Sequence, residues 1–279
     1  MICFMFPGQP LGFDTAPPAD RDFLEVAALT LQRTGLDLAT LAWQGAAESD
    51  QVRLQVYGVA MSLYRARMSR AAGINPAMVA EHSMGIYPAM AVAGAIDAGD
   101  ALEMTLRIGA CLAAMGKRAE YALGCITGLP AAPLMALAEN NNVYPANFNT
   151  SRHFLISGTR REVEEAVAEA LQCGAFTARS FPCDAPLHTP LMEEVAPELR
   201  RIVGDYRLAE PLLPLMNHID QDFLAAADLP DFLVRELALP VYWERTYQAL
   251  CAAGVTRFVE AGVGDSLKKY NRWISSELR

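Results

Sequence analysis

Apolar residues along the chain form short runs that alternate with longer stretches of helical spacing. The runs at residues 2–6 and 77–80 predict two buried strands, and Pro7 and Gly8 end the first of them. Apolar positions at helical spacing predict helices after Asp20, over residues 49–70, from about Ile86, and over residues 97–117. Strands that alternate with helices in this way predict an α/β fold with a parallel sheet.

The pattern changes character in the middle of the chain. It predicts strands at 122–128, 143–147, 153–157 and 175–181 and helices at 130–140 and 161–173. The order β-α-β-β-α-β is that of a ferredoxin-like domain. After Pro186 it predicts helices at 189–203, 230–237 and 243–253, strands at 212–216 and 257–261, and a C-terminal helix. We therefore expect a large α/β-hydrolase-like domain with a parallel sheet, residues 1–119 and 187–279, interrupted by a small ferredoxin-like domain, residues 120–186.

Charge and composition exclude several functional classes. The formal net charge is −9, from 23 basic and 32 acidic residues, which argues against a general nucleic-acid binder. The most apolar stretch, residues 76–96, carries Glu81, His82 and Ser83 in its interior, so we expect no membrane span. The six cysteines are scattered, without zinc-ligand spacing. We expect free thiols, no bound metal and a cytoplasmic location.

The strongest chemical signal is Ser83, which lies between a predicted strand and a predicted helix. A serine on such a sharp turn exposes its hydroxyl at the carboxyl edge of the sheet, and the main-chain N–H of Met84 can face an oxyanion there. Glu81 stands where a full nucleophile elbow has glycine, and a side chain at that position crowds the turn. The alternative interpretation is that Ser83 only caps the following helix.

A nucleophilic serine needs a base, and the chain has four histidines: His82, His153, His188 and His218. His188 is the leading candidate because it lies in a proline-rich loop, residues 184–192, just before a predicted helix. His82 adjoins the serine, but neighbours in such a turn point in different directions. His153 and His218 lie at strand ends.

Six segments, in order, carry a resemblance to a known family. They read FPGQ at 6–9, EHSMG at 81–85, NFN at 147–149 with ISG at 156–158, HTPLM at 188–192, PVYW at 240–243 and EAGVG at 260–264. They resemble the motifs of the malonyl-CoA:acyl-carrier-protein transacylase family, the acyltransferases of fatty-acid and polyketide synthesis. The resemblance covers nearly the whole chain.

This resemblance implies a ping-pong acyl transfer through Ser83. Ser83 would attack the thioester of an acyl-CoA with His188 as general base, and the thiol of a phosphopantetheine arm on an acyl carrier protein would then take the acyl group. The oxyanion hole would be the main-chain N–H groups of Gln9 and Met84. A main-chain carbonyl, matching Leu239, would orient His188, and Asp184 is a rival partner. No bound cofactor is implied.

The sequence departs from the family at the acyl pocket. Malonyl-specific members carry an arginine that binds the malonyl carboxylate, and the matching position here is Ile108, while Arg107 should face elsewhere on the helix. Losing one charge-assisted hydrogen bond costs about 1.5–3 kcal/mol, roughly a 10- to 150-fold loss. Glu81 would add repulsion. We therefore expect an uncharged acyl group, with Ile108 and Glu81 at the pocket.

Two other functions remain open at this stage. An acyl hydrolase built on the same site would clear uncharged acyl groups from carrier proteins, and a non-catalytic scaffold relative would tolerate Glu81. Carrier proteins are usually acidic, so docking requires a local basic patch. The candidate patches are Arg65, Arg67, Arg70, Lys117 and Arg118, or Lys268, Lys269 and Arg272.

Overall fold

The computed structural model describes residues 1–278, which form ten strands and ten α-helices. The strands are β1 (Ile2–Phe6), β2 (Leu36–Asp37), β3 (Ala42–Trp43), β4 (Met78–Glu81), β5 (Tyr121–Thr127), β6 (Tyr144–Thr150), β7 (His153–Thr159), β8 (Thr177–Cys183), β9 (Leu215–Met216) and β10 (Arg257–Glu260). The helices are α1 (Arg21–Thr34), α2 (Asp50–Ala71), α3 (Ile86–Ala93), α4 (Ala98–Gly116), α5 (Ala131–Asn140), α6 (Arg160–Gln172), α7 (Ala196–Gly204), α8 (Leu229–Arg235), α9 (Trp243–Ala252) and α10 (Ser266–Glu277).

The main sheet is parallel, as predicted, with the strand order β10-β1-β4-β9. Its two central strands are buried on both faces, which explains why β1 and the first three residues of β4 are continuous apolar runs instead of alternating ones. Helices cover both faces. The largest buried cluster, which includes Phe4, Phe6 and Val79, packs against α1–α4, and a second cluster around Trp243 packs under α9 and α10. The core thus fixes the carboxyl edge of the sheet.

Short polar side chains begin the long helices of this domain. Asp20 accepts a hydrogen bond from the N–H of Phe23, Ser49 from Val52, and Asp97 from Gly99. These caps satisfy N–H groups that have no partner inside a helix. Helix α2 is buried around most of its circumference, which is why its apolar pattern is not confined to one stripe.

The second sheet is antiparallel and has the strand order β6-β7-β5-β8. With α5 and α6 between its strands, this is the ferredoxin-like topology that the sequence predicted. It has its own core, which includes Ile126, Phe154 and Val163. Main-chain pairing joins it to the large domain, because Phe148 N–H donates to Val241 O and Val241 N–H donates to Ala146 O. The domain boundaries at 119/120 and 186/187 stay a prediction.

Some predicted elements differ in detail from those observed. The two-residue strands β2 and β3 were not predicted, because two residues carry no periodicity. The helix predicted over 189–203 begins as a 3₁₀ turn at Pro190–Val195 and becomes α7 only at Ala196. The strand predicted over 212–216 is reduced to β9, since Pro214 cannot donate a hydrogen bond to a sheet.

Two further expectations concern the whole chain. None of the helices within residues 1–278 combines the length and the apolar character that crossing a membrane would require. All six cysteines are free thiols.

Candidate active site

Ser83 occupies a tight turn at the carboxyl end of β4. The strand ends at Glu81, a 3₁₀ turn covers Ser83–Gly85, and α3 begins at Ile86. Ser83 has a φ of 56°, a left-handed conformation that is rare for residues other than glycine. Gly85 is required two residues later, because a Cβ there would collide with the main-chain oxygen of Phe6. This is the geometry of a nucleophile elbow, in which strain holds the serine hydroxyl out from the sheet.

His188 meets Ser83 across 105 residues of sequence. Its Nε2 lies 2.7 Å from Ser83 Oγ. On the other side of the ring, Nδ1 lies 2.9 Å from the main-chain oxygen of Glu236 and 3.1 Å from that of Leu239. Two carbonyl oxygens can only accept, so Nδ1 carries the hydrogen and Nε2 presents a lone pair to the serine hydroxyl. That tautomer leaves Nδ1 no lone pair for a metal ion.

Burial keeps His188 neutral. The side chain is 3% exposed, and its pKa falls from 6.5 to about 3, first because burial disfavours the charged form and then because His218 lies nearby. Its backbone is also held, since the His188 N–H donates to Leu237 O and φ is 60°. The structure therefore brings a neutral imidazole to the serine in a fixed orientation.

The side chains of two of the three remaining histidines, His82 and His153, contact Asn149 and not Ser83. His82 Nε2 lies 2.8 Å from Asn149 Oδ1, and Asn149 Nδ2 lies 3.1 Å from His153 Nδ1. Burial lowers the pKa of both His82 and His153 to about 4. These contacts join the loop after β4 to the inserted domain. Asp184 is likewise engaged elsewhere, by the hydroxyl of Ser49 at 2.5 Å.

A cavity of about 800 Å³ opens onto Ser83 and His188. Both domains contribute to its walls, the large one through the loop that contains Gln9 and the inserted one through Cys125 and Asn149. The Gln9 side chain is held by two amides, since its Nε2 donates to Gln51 Oε1 (2.6 Å) and its Oε1 accepts from Gln55 Nε2 (3.0 Å). Met84 follows Ser83 directly and is buried.

The two residues predicted for the acyl pocket, Ile108 and Glu81, are both buried. Ile108, on α4, is 2% exposed and belongs to the main core, and neither Ile108 nor Glu81 is among the lining residues of the cavity within residues 1–278. Their assignment to the acyl pocket stays a prediction. Arg107 faces away, as expected, and pairs with Asp205 and Tyr206.

Glu81 is paired with His218, which sequence reasoning did not connect to it. Glu81 Oε2 lies 2.6 Å from His218 Nδ1, and Oε1 accepts from the His218 N–H at 2.9 Å. Both side chains are fully buried. Burial raises the pKa of Glu81 and lowers that of His218 to about 3. Both carboxyl oxygens of Glu81 are thus engaged by His218, and the turn accommodates the side chain.

Glu236 is a second buried acid that sequence reasoning missed. It lies in a 3₁₀ turn, Glu236–Ala238, and its carboxyl is 0% exposed. Oε2 lies 4.0 Å from His188 Nδ1, and neither oxygen has a hydrogen-bond partner within residues 1–278. Glu236 and His218 are both far from Ser83 in sequence. They come close to it only because β9 and the 3₁₀ turn pack near β4. No local motif could have revealed this cluster.

Comparison with known proteins identifies the family. The model of the acyl transferase domain family matches residues 22–263. This chain belongs to the acyl transferase domain family. It is 31% identical over 296 residues to the malonyl CoA-acyl carrier protein transacylase of Escherichia coli, covering 99% of this chain and 94% of that protein. It is an acyltransferase by family.

Solved structures agree. The malonyl-CoA:acyl carrier protein transacylase of Xanthomonas oryzae superposes with a TM-score of 0.89 at 26% identity, covering 99% of this chain and 91% of that one. A malonyl-transacylase solved in complex with its type II polyketide synthase acyl-carrier protein gives 0.87 at 26% identity, with 99% and 93% covered. The chain therefore shares its mixed α/β fold with these acyltransferases.

Proposed function

We propose that the protein transfers an acyl group from acyl-CoA to an acyl carrier protein through an ester on Ser83. The contact between Ser83 Oγ and His188 Nε2, 2.7 Å, carries this proposal. A hydroxyl becomes nucleophilic when a positioned base takes its proton, and that distance is within the range for such a transfer. The family membership of the chain supports the same reaction.

The chemistry consists of two matched half-reactions. Ser83 Oγ attacks the thioester carbonyl while its proton moves to His188 Nε2; the C–S bond then breaks, and the departing CoA sulfur takes that proton. In the second half, the carrier thiol gives its proton to His188 and attacks the ester, and Ser83 Oγ recovers the proton as it leaves. The main-chain N–H groups of Gln9 and Met84 stabilise the oxyanion in both halves.

The acceptor is a phosphopantetheine thiol on an acyl carrier protein, and the chain needs no resident cofactor. The names of its relatives support this, since they are transacylases of acyl carrier protein and one was solved bound to a carrier. The cavity of about 800 Å³ supports the same acceptor, because ligand pockets are commonly of this size and largely apolar, and its lining includes Leu11, Phe176 and Trp273.

The acyl group is uncharged in this proposal. The resemblance matches Ile108 to the arginine of malonyl-specific members. The two permanent cations that line the cavity within residues 1–278 have partners of their own. Arg152 donates to Gly128 O and Lys269 pairs with Asp265. A malonyl carboxylate would lose at least one charge-assisted hydrogen bond. Acetyl-CoA should therefore acylate Ser83 about ten-fold faster than malonyl-CoA or more. Faster malonyl loading would contradict the preference.

Intact-protein mass spectrometry tests the acyl-enzyme directly. After exposure to a panel of acyl-CoAs, the wild-type protein should gain the mass of one acyl group, and Ser83→Ala should gain none. The matched control is Ser157→Ala, which removes a buried hydroxyl of the inserted domain and should load like the wild type. Equal loading of Ser83→Ala would refute the proposal.

A hydrolase would use the same acyl-enzyme and differ only in the second acceptor. The loaded protein should therefore be separated from acyl-CoA and divided between buffer and a phosphopantetheinylated carrier protein. We expect the ester to persist in buffer and to move to the carrier. Rapid loss in buffer, without a further increase in rate when the carrier is added, would identify a hydrolase instead.

A further inference from the structure

The carboxyl of Glu236 is an unusual group to find behind the base of a serine–histidine pair. It is 0% exposed, and neither oxygen has a hydrogen-bond partner among residues 1–278. A buried polar group without a partner is destabilising, and a carboxyl is among the most costly. Such a group persists in a fold when it has a use that offsets this cost.

The position of Glu236 indicates what that use is. Its Oε2 lies 4.0 Å from His188 Nδ1, on the side of the ring away from Ser83. The main-chain oxygens of Glu236 and Leu239 already hold the Nδ1 hydrogen, so the ring is oriented without the carboxyl. What the two carbonyl dipoles do not supply is a full negative charge to balance the imidazolium that forms when His188 takes the serine proton.

The same cluster contains a second histidine. One side-chain nitrogen of His188, one of His218 and one carboxyl oxygen of Glu236 all lie within 4.8 Å of one another. His218 Nε2 has no hydrogen-bond partner within residues 1–278. The rings of His188 and His218 meet edge to face, with centroids 6.0 Å apart. The titratable groups nearest His188 are His218, His82 and Glu236. Glu236 in turn has Glu81 of β4 and the Tyr87 phenol of α3 as titratable neighbours.

We propose that Glu236 is a positioning residue whose ionised carboxylate stabilises the protonated form of His188 and thereby accelerates the attack of Ser83. It does not touch the substrate and acts only through His188. The inference rests on the acylation of Ser83 proposed above. Glu236 would thus supply a negative charge to His188, whose Nδ1 already has two carbonyl partners.

The charge of Glu236 makes this effect depend on pH. Burial, and then the neighbouring Glu81, raise the pKa of Glu236 well above 4.5, so the carboxyl is neutral at low pH and becomes ionised only as the pH rises. Burial, and then His218, lower the pKa of His188 to about 3, so the imidazole is already neutral at the pH where Glu236 begins to ionise. A plot of Ser83 reactivity against pH should therefore contain a rising limb, and this limb should report the ionisation of Glu236.

The experiment follows the pH dependence of Ser83 labelling by a fluorophosphonate, which needs only the nucleophile and its base. In the wild-type protein we expect a rising limb above pH 4.5. In Glu236→Gln the limb should be absent, the rate at high pH should fall about ten-fold, and the two proteins should converge at low pH, where Glu236 is neutral in both. Glu244→Gln, the same change on α9, should keep the wild-type profile.

Two further variants separate this role from a structural one. Glu236→Met removes the charge and both unpaired oxygens, so it should also lose the limb while its Tm rises, by about 2–4 °C. Glu81→Gln should keep the limb but move it to lower pH, because Glu81 raises the pKa of Glu236. If the limb disappears in Glu81→Gln and persists in Glu236→Gln, the assignment to Glu236 is wrong.

The remaining outcomes are equally decisive. An equal loss of rate at every pH in Glu236→Gln and Glu236→Met would mean that the residue only supports the fold, and an unchanged profile in both would mean that it has no part in the reaction. Failure of the wild-type protein to react at Ser83 would instead overturn the proposed function, so the two failures are distinguishable.

Discussion

At the scale of single residues, the site depends on two strained positions that meet. Ser83 and His188 both have positive φ values, 56° and 60°, and neither is glycine. Each costs of order 1–3 kcal/mol, and the surrounding structure holds both in place. Local backbone strain therefore accompanies the alignment of Oγ with Nε2.

Removal of the imidazole is the first residue-scale prediction. His188→Ala should lower the rate of Ser83 acylation by about 10²–10⁴, the usual contribution of a general base. The rate of acyl-enzyme formation in rapid-quench mass spectrometry measures this. His153→Ala is the matched control, because His153 lines the same cavity but contacts Asn149 and not Ser83. A similar loss in both variants would argue against His188 as the base.

The buried histidines also predict how stability depends on pH. The pKa of His82 is lowered to about 4, and those of His188 and His218 to about 3. The unfolded chain therefore binds protons before the folded chain does, and stability is lost as the pH falls from 6.5 toward 4. Each histidine contributes up to about 1.4 kcal/mol per pH unit.

The raised pKa values of Glu81 and Glu236 act in the opposite direction, since the folded chain holds those protons at a higher pH than the unfolded chain. As the pH falls, protonation of these two carboxyls in the folded chain partly offsets the loss of stability from the histidines. This offset stops growing near pH 4.5, where carboxyls of the unfolded chain also become protonated. We expect the free energy of unfolding in urea to fall most steeply below that pH. A free energy that stays constant from pH 7 to 4 would exclude this account.

How far the site was predictable also differs from residue to residue. Ser83 and His188 lie in short motifs with recognisable sequence, and the structure brings them together. Glu236 has no motif of its own, and the His218 partner of Glu81 lies 137 residues away. Proximity created only by tertiary folding leaves no local signal, so the buried acid–histidine cluster could not be found from the sequence.

At the scale of elements, the junction of β1, β4 and α3 is the most constrained part of the fold. Gly85→Ala should destabilise the protein by about 1–3 kcal/mol or more, because the new methyl group meets the main chain of β1 at Phe6, which cannot move far within a central strand. The midpoint of urea unfolding measures the change. Gly204→Ala, at the end of α7, has nothing within 4 Å and should change stability by less than about 1 kcal/mol.

The elements themselves were predictable to different degrees. The long helices α2 and α4 and the strands of the inserted domain follow from periodicity and caps, because each is long enough to show a repeat. The sequence predicted β9 too long, because Leu212 and Leu213 continue the apolar run, whereas Leu212 is 84% exposed in the structure. Short elements depend on packing partners that the sequence does not display.

At the scale of the whole molecule, an acidic protein must attract an acidic partner through a local patch. Of the two candidate patches, the one on α10 adjoins the cavity, because Lys269 and Trp273 line it. No member of the other patch is among the residues that line the cavity within residues 1–278. We therefore expect carrier docking near Lys268, Lys269 and Arg272.

Charge reversal tests this docking surface. Lys269→Glu should raise the KM for the carrier protein about ten-fold at low salt, with a smaller effect at high salt, and should leave Ser83 labelling by fluorophosphonate unchanged. The matched control is Arg161→Glu on α6, which breaks a comparable i,i+4 pair far from the cavity lining. Equal KM values for both variants would rule out the α10 patch.

The strand order of the main sheet has a consequence for how the chain folds during synthesis. Strand β1 is synthesised before the other strands of its sheet, yet one of its two neighbours is β10, whose register pairs Ile2 with Arg257. The strands and helices of the inserted domain lie between Tyr121 and Cys183, so all of them are made while the 73 residues between Cys183 and Arg257 are still to come. At about 5–20 residues per second, that interval is roughly 4–15 s. During it, β1 waits without one of its partners, and a chaperone has its best opportunity to bind.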